Sequence, residues 1–132
     1  DIIVGSPPCT QFSFANRGGS GDIDDGLIDI RVFLDFVKKL KPKYWAMENV
    51  PRVAGILNNH LFNKDGKLYN YRHLCSSDDF SINIINCADF GIPQKRKRMI
   101  AGVYPFSLLQ SYAGTFECPS LGDVIRNLSN YL

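Results

Sequence analysis

Ile2-Ile3-Val4-Gly5-Ser6-Pro7-Pro8-Cys9 follows a single aspartate at the start of the chain. Three branched apolar residues in a row suit a strand buried on both faces, as in a parallel sheet. The run stops at Gly5-Ser6-Pro7-Pro8, because proline has no N–H to give to a ladder. Outward from it, Phe14 to Gly26 is polar and glycine-rich, with Gly18-Gly19-Ser20-Gly21 inside it, and reads as a mobile loop. Leu27, Ile30, Phe33, Leu34 and Val37 then recur at helical spacing. Asp24 and Asp25 precede this stripe and Lys38, Lys39 and Lys41 close it, charges suited to a helix dipole. Pro42 ends the helix, and Tyr44-Trp45-Ala46-Met47 is a second buried strand that runs into Glu48-Asn49-Val50-Pro51.

The second half is less regular. Ile56, Leu57, His60 and Leu61 predict a short helix, Asp65-Gly66 a turn, and Tyr69 to Leu74 a further helical piece. Ser81 to Cys87 alternates and is rich in isoleucine, which predicts a third strand, and Met99 to Val103 predicts a fourth. The link between them, through Gly91 and Pro93, is too short for a crossover helix, so this last pair is expected to be antiparallel. Beyond Tyr104-Pro105 the pattern weakens, with a closing helix expected from Leu121 to Leu128. The order strand, helix, strand, helix, strand, strand is that of a doubly wound α/β sheet, whose ligands sit beyond the carboxyl ends of the parallel strands.

Composition narrows the class. The chain has 132 residues, enough for one compact domain, with 45% apolar and 21% charged residues. A net charge of +2 does not announce a nucleic-acid partner, so such a partner must be argued locally. No apolar run approaches the roughly 20 residues that span a bilayer. No signal peptide is visible, and a cytoplasmic or nucleoid-associated (or nuclear) place is expected. The start at Asp1, without methionine and directly before a strand, suggests a piece of a longer protein. Cys9, Cys75, Cys87 and Cys118 form no Cys-x-x-Cys pair, so no metal site is expected. Reduced thiols are expected, with Cys75, Cys87 and Cys118 as small core residues.

Three clusters carry chemistry. Pro7 and Pro8 hold Cys9 in a rigid turn past a strand, where a thiolate makes a nucleophile if positive charge lies near; otherwise the turn buries a small side chain. Glu48 follows four apolar strand residues, so its carboxyl can be desolvated enough to give a proton near neutrality, or can cap the next turn. Gln94-Lys95-Arg96-Lys97-Arg98 is a basic run between two strands. It is either a solvated face or, with Arg96 and Arg98 pointing the same way in an extended chain, a set of donors to a base carbonyl or phosphate.

Gly5-Ser6-Pro7-Pro8-Cys9, Met47-Glu48-Asn49-Val50 and Gln94-Lys95-Arg96-Lys97-Arg98, in this order, resemble three signature blocks of the DNA (cytosine-5)-methyltransferases. Asn86-Cys87-Ala88-Asp89-Phe90-Gly91-Ile92-Pro93 is similar to that family too, and the resemblance covers roughly residues 1 to 104. It implies part of a Rossmann-like S-adenosylmethionine-dependent methyltransferase sheet with a terminal antiparallel pair, residues 1–132 being a partial catalytic domain. Cys9 is then the nucleophile that adds to carbon 6 of a cytosine flipped out of DNA. Glu48 holds the base at N3 and the exocyclic amine, Arg98 takes the O2 side, and Arg96 supports the thiolate or the base. Pro8 borders the methyl donor, S-adenosylmethionine. Gln11, Ser13, Asn16, Arg17, Asn49 and Gln94 are the expected nucleic-acid contacts.

The sequence also departs from that pattern. Family members mostly carry glutamine directly after the nucleophile, where this chain has Thr10 and then Gln11. The glycine-rich donor motif has no equivalent here, so the segment alone is expected neither to bind S-adenosylmethionine well nor to methylate. Other readings are a transfer-RNA cytosine-5 methyltransferase, a catalytically silent DNA-binding segment, and a thiol hydrolase pairing Cys9 with His60 or His73.

Overall fold

The computed structural model describes residues 1–12 and 22–128. Strand β1 (Ile2–Gly5) is followed by helix α1 (Ile23–Leu40), strand β2 (Tyr44–Asn49) and helix α2 (Val53–Phe62). A 3-10 helix (Tyr69–Cys75) leads to β3 (Phe80–Asn86), and a 3-10 turn (Cys87–Phe90) to β4 (Lys97–Val103). Helices α3 (Phe106–Ser111) and α4 (Leu121–Leu128) close the described chain.

The four strands form one mixed sheet in the order β1-β2-β4-β3. β1 and β2 are parallel, and β4 is antiparallel to both β2 and β3. The expected antiparallel pair is present, and β4 enters the sheet between β2 and β3. That insertion explains why two strands outrun their apolar runs. β4 has a ladder on each side, so Lys97 and Arg98 pair with Asn86 and Ile85, while Glu48 and Asn49 pair with Ile100 and Met99. Backbone pairing thus carries charged residues into the sheet at the end where β1 and β2 finish.

Register sorts the side chains between faces. Ile3, Trp45, Val103 and Phe80 share one face by cross-strand pairing. There Phe33 of α1 and Phe80 each meet Trp45 with ring centroids 6.1 Å apart, and Phe62 of α2 meets Phe80 at 6.1 Å. Both α1 and α2 therefore cover this face, over a core that includes Leu27, Ile30, Leu34, Met47, Leu57, Leu61 and Met99. Ile2 and Val4, on the other face, are 70% and 74% exposed. Glu48 and Arg98 lie on that open face, because Glu48 pairs with Ile100, two residues beyond Arg98.

Helix α1 begins four residues earlier than its apolar stripe, inside the stretch expected to be loop. Asp22 is its N-cap and accepts a 2.8 Å hydrogen bond from the Asp24 N–H. Gly26 lies within the helix, and an ideal Cβ there would stand 2.2 Å from the ring of the fully buried Phe12. The glycine costs helix propensity but makes room for that ring. At the other end Lys41 takes a left-handed conformation and gives its N–H to Val37 O at 2.9 Å, just before Pro42. Ser13, Asn16 and Arg17 lie outside the described residues.

Candidate active site

The parallel register of β1 and β2 has a constant offset of 42 residues, from Ile2 opposite Tyr44 to Gly5 opposite Met47. Past Gly5 the backbone ladder cannot continue, since Pro7 and Pro8 have no N–H. Side chains extend the same offset instead. Ser6 Oγ donates to Glu48 Oε2 at 2.5 Å, and Asn49 Nδ2 donates to the Pro7 carbonyl at 3.1 Å. The strand pleat continues through these two links, with the exposed Ser6 and the half-buried Glu48 on the open face and Pro7 and Asn49 buried beneath the helices. The segment carrying the thiol is thereby stitched to the end of β2 up to two residues before Cys9.

Cys9 itself is half-buried. Its carbonyl accepts the Phe12 N–H at 2.9 Å, closing a tight turn whose last residue is the Phe12 plug against Gly26. Fixed on one side by the Pro7–Asn49 link and on the other by a buried aromatic ring, the turn holds the thiol in place. Burying such a ring is worth about 1.5–3 kcal/mol.

Arg98 completes the cluster. Its Nε lies 2.7 Å from Glu48 Oε1, and its Nη1 donates to the Lys97 carbonyl at 2.8 Å. Each Glu48 oxygen thus has its own partner, Arg98 on Oε1 and Ser6 on Oε2. The pair is partly shielded, with side-chain exposures of 19% for Arg98 and 36% for Glu48. Solvent screening limits its worth to stability, so orientation of the carboxyl is the larger consequence.

Other expected site residues fall elsewhere. Asn49, expected at a nucleic-acid surface, is 1% exposed, and its Oδ1 accepts the Val50 N–H at 2.9 Å. It joins two loops from inside, because the pleat that turns Glu48 outward turns the next residue inward. Gln11 Oε1 accepts the Asp22 N–H at 3.1 Å, tying the turn after Cys9 to the start of α1. Arg96 stands just before β4 with its side chain exposed, and its backbone carbonyl accepts from the Cys87 N–H at 2.9 Å. Gln94 is exposed in a tight turn in which its N–H reaches Ile92 O at 2.7 Å. Neither histidine is paired with the thiol: His60 Nδ1 accepts from the Lys67 N–H at 3.3 Å, and His73 Nδ1 lies 2.9 Å from the Asn70 carbonyl.

The remaining cysteines divide. Cys75 packs partly buried against the core, and desolvation pushes its thiol up to about 12. Cys87 is half-buried, while Cys118, expected in the core, is exposed with its Sγ 3.2 Å from Ile92 O. A cavity of about 300 Å³ lined by Val37, Pro42, Trp45, Leu74 and Val103 opens at the start of β2, the end of the sheet away from Glu48. Its place separates it from the chemistry.

A methyl donor built on a nucleoside needs a glycine-rich turn after a strand to let backbone approach it. β1 and β2 run instead into Ser6-Pro7-Pro8 and Val50-Pro51. Pro8 is exposed beyond β1 but makes no such cradle, so the described residues do not by themselves fit S-adenosylmethionine. Among the described residues, no helix is long and apolar enough to cross a membrane, and no group of three or more His, Cys, Asp or Glu converges as metal ligands.

Residues 1–115 match the model of the family described as C-5 cytosine-specific DNA methylase. Among similar curated proteins is the type II methyltransferase M1.HphI of Haemophilus parahaemolyticus, 32% identical over 105 residues, or 76% of this chain and 26% of that protein. M.Bpa9945I of Bacillus paralicheniformis is 35% identical over 114 residues, covering 76% of this chain and 24% of its own length. M.AplI of Arthrospira platensis is 31% identical over 134 residues, covering 98% of this chain and 36% of its own length. The chain thus spans between 24% and 36% of the length of these relatives. The match over most of its residues decides the family: the chain belongs to the C-5 cytosine-specific DNA methylases.

Proposed function

We propose that this chain forms the nucleophilic and base-binding part of a DNA (cytosine-5)-methyltransferase, with Cys9 as the attacking thiol. The observation that carries the reading is the stitched end of the sheet. The loop of Cys9, the carboxyl of Glu48 and the guanidinium of Arg98 come from β1, β2 and β4, and are joined by Ser6–Glu48, Asn49–Pro7 and Arg98–Glu48 bonds. The type II methyltransferases among its relatives support a role in DNA modification.

Carbon 5 of cytosine is a weak nucleophile. The Cys9 thiolate adds to carbon 6, forming a C–S bond, and the electron pair of the 5,6 double bond moves into the ring. Glu48 makes this feasible by holding N3 and the exocyclic amine and giving a proton at N3 as negative charge develops. Arg98 neutralises the O2 side from the same face. S-adenosylmethionine, when bound by the whole enzyme, would supply the electrophilic methyl group; the described residues place only the base and the thiol. Loss of the carbon 5 proton to water then restores the double bond and expels Cys9 as thiolate, while the N3 proton returns to Glu48. The base reaches this cluster only when flipped from the duplex. Ser13, Asn16, Arg17, Gln94 and the exposed Arg96 are proposed backbone or base contacts around it.

Incubating the full-length protein with duplex DNA containing 5-fluorocytosine and S-adenosylmethionine tests the reading. A covalent adduct that survives denaturation, and that is lost in Cys9→Ser, is expected. Adduct on a structured RNA but not on DNA would move the substrate to RNA. Retained DNA affinity with no adduct in the wild-type protein would leave only a silent binding segment.

A further inference from the structure

Ser6 belongs to the quoted nucleophile block but is neither nucleophile nor backbone kink, and its exposure gives it no packing role. Its hydroxyl is committed to Glu48 Oε2 at 2.5 Å, at the position where the β1–β2 register would place a ladder partner. We propose that Ser6 is a positioning residue for the methyl-transfer reaction, holding the Glu48 carboxyl in register with the Cys9 loop. This inference rests on the assignment of Cys9 and Glu48 above.

The two partners of Glu48 are not equivalent. Arg98 only donates hydrogen bonds, so it can pair only with a carboxyl oxygen that carries no proton. A serine hydroxyl donates or accepts, so Ser6 keeps its bond whether the carboxyl is ionised or carries the proton that goes to the base. When a pyrimidine enters and Arg98 turns to its O2 side, the Arg98–Glu48 bond must lengthen or be shared. Ser6 is then the anchor that remains on Glu48. It stands three residues before the attacking sulfur on a segment that Asn49 also fixes. Acid and nucleophile therefore share one short, rigid piece of backbone, and their separation does not depend on the longer path through α1. Without the hydroxyl, the carboxyl keeps its partner on Oε1 and swings about it.

The experiment compares Ser6→Ala and Ser6→Thr in the full-length protein, because threonine keeps the hydroxyl and position 6 is exposed enough to take a methyl group. In Ser6→Ala the expected result is a fall in kcat of about ten- to a hundred-fold, the worth of one hydrogen bond to a charged group, with KM for DNA and Tm unchanged. Ser6→Thr is expected to recover kcat to within about threefold of wild type. A second readout needs no turnover. The 15N-detected Arg98 Nε–H signal reports its pairing with Glu48, and in Ser6→Ala it is expected to shift and exchange faster with solvent. If that signal is unchanged in Ser6→Ala, or kcat is unchanged, the positioning role is overturned. A loss that Ser6→Thr does not recover, or that comes with a matching fall in Tm, also overturns it in favour of a folding role. If the wild-type protein forms no adduct while the Arg98 signal responds to Ser6→Ala, the enzymatic reading fails and the tether stands.

Discussion

Asn49 is the residue whose removal should loosen the site from within. Two hydrogen bonds depend on it, to the Pro7 carbonyl at 3.1 Å and from the Val50 N–H at 2.9 Å, and its side chain is 1% exposed. Asn49→Ala leaves both backbone groups without that partner, at about 1–3 kcal/mol for a buried unsatisfied group. Some relaxation makes about 2–4 kcal/mol a fair sum, and at roughly 4 °C per kcal/mol for a domain of this size Tm falls by about 8–16 °C. Asn49→Asp keeps the volume but replaces the donor facing Pro7 O with an acceptor. Burial favours the neutral form of the introduced carboxyl, raising its folded-state pKa above the unfolded value of about 3.9. Its deficit relative to wild type is therefore small below about pH 4 and grows as pH rises. Circular dichroism melts of both variants and wild type between pH 4 and 8 measure this. A Tm within 2 °C of wild type for Asn49→Ala would refute the reasoning, as would an Asn49→Asp deficit that does not change with pH.

Further outcomes follow from particular contacts. Gly26→Ala improves helix propensity by about 1 kcal/mol, yet its Cβ meets the Phe12 ring at 2.2 Å. It should be destabilised by up to about 2 kcal/mol net, since an overpacking cost of about 1–3 kcal/mol exceeds that gain, checked by urea unfolding, and a stabilised variant would show that Phe12 is not seated there. Mass mapping after iodoacetamide at pH 8.5 should find Cys118 modified and Cys75 untouched. Because folding raises the Cys75 thiol from 9.0 to about 12, its contribution is present below pH 9 and lost as pH rises toward 12, so stability should slope downward across that window. Arg98→Lys keeps the charge but loses the planar guanidinium, and should slow formation of the 5-fluorocytosine adduct more than tenfold. His60→Ala and His73→Ala should leave it unchanged, and a loss in either would revive the thiol hydrolase.

Much of this molecule is legible along the chain. The strands read as apolar runs and α1 as a repeating stripe, but the burial of β1 on both faces that its run suggested is not met, because one face of the sheet is left open and Ile2 and Val4 are exposed there. Cys9, Glu48 and the basic run were likewise visible as local blocks, Cys9 just past β1 and Glu48 at the end of β2, where α/β sheets hold ligands. The short Gly91–Pro93 link was enough to make β3 and β4 antiparallel.

What the sequence could not supply was everything that depends on which strand lies beside which. Nothing local says that β4 enters between β2 and β3, and that insertion alone brings Arg98 to Glu48. Nothing local fixes the 42-residue offset that sets Ser6 on Glu48 and Asn49 on Pro7, so Ser6 drew no role and Asn49 the wrong surface. Gly26 likewise read as loop, since its reason for standing in a helix is an aromatic ring fourteen residues earlier. Sequence on its own determined the periods of the elements and the chemical groups available. Tertiary structure decided which groups meet, because hydrogen bonds and ring contacts act across a few ångströms of space while the residues that make them lie tens of positions apart.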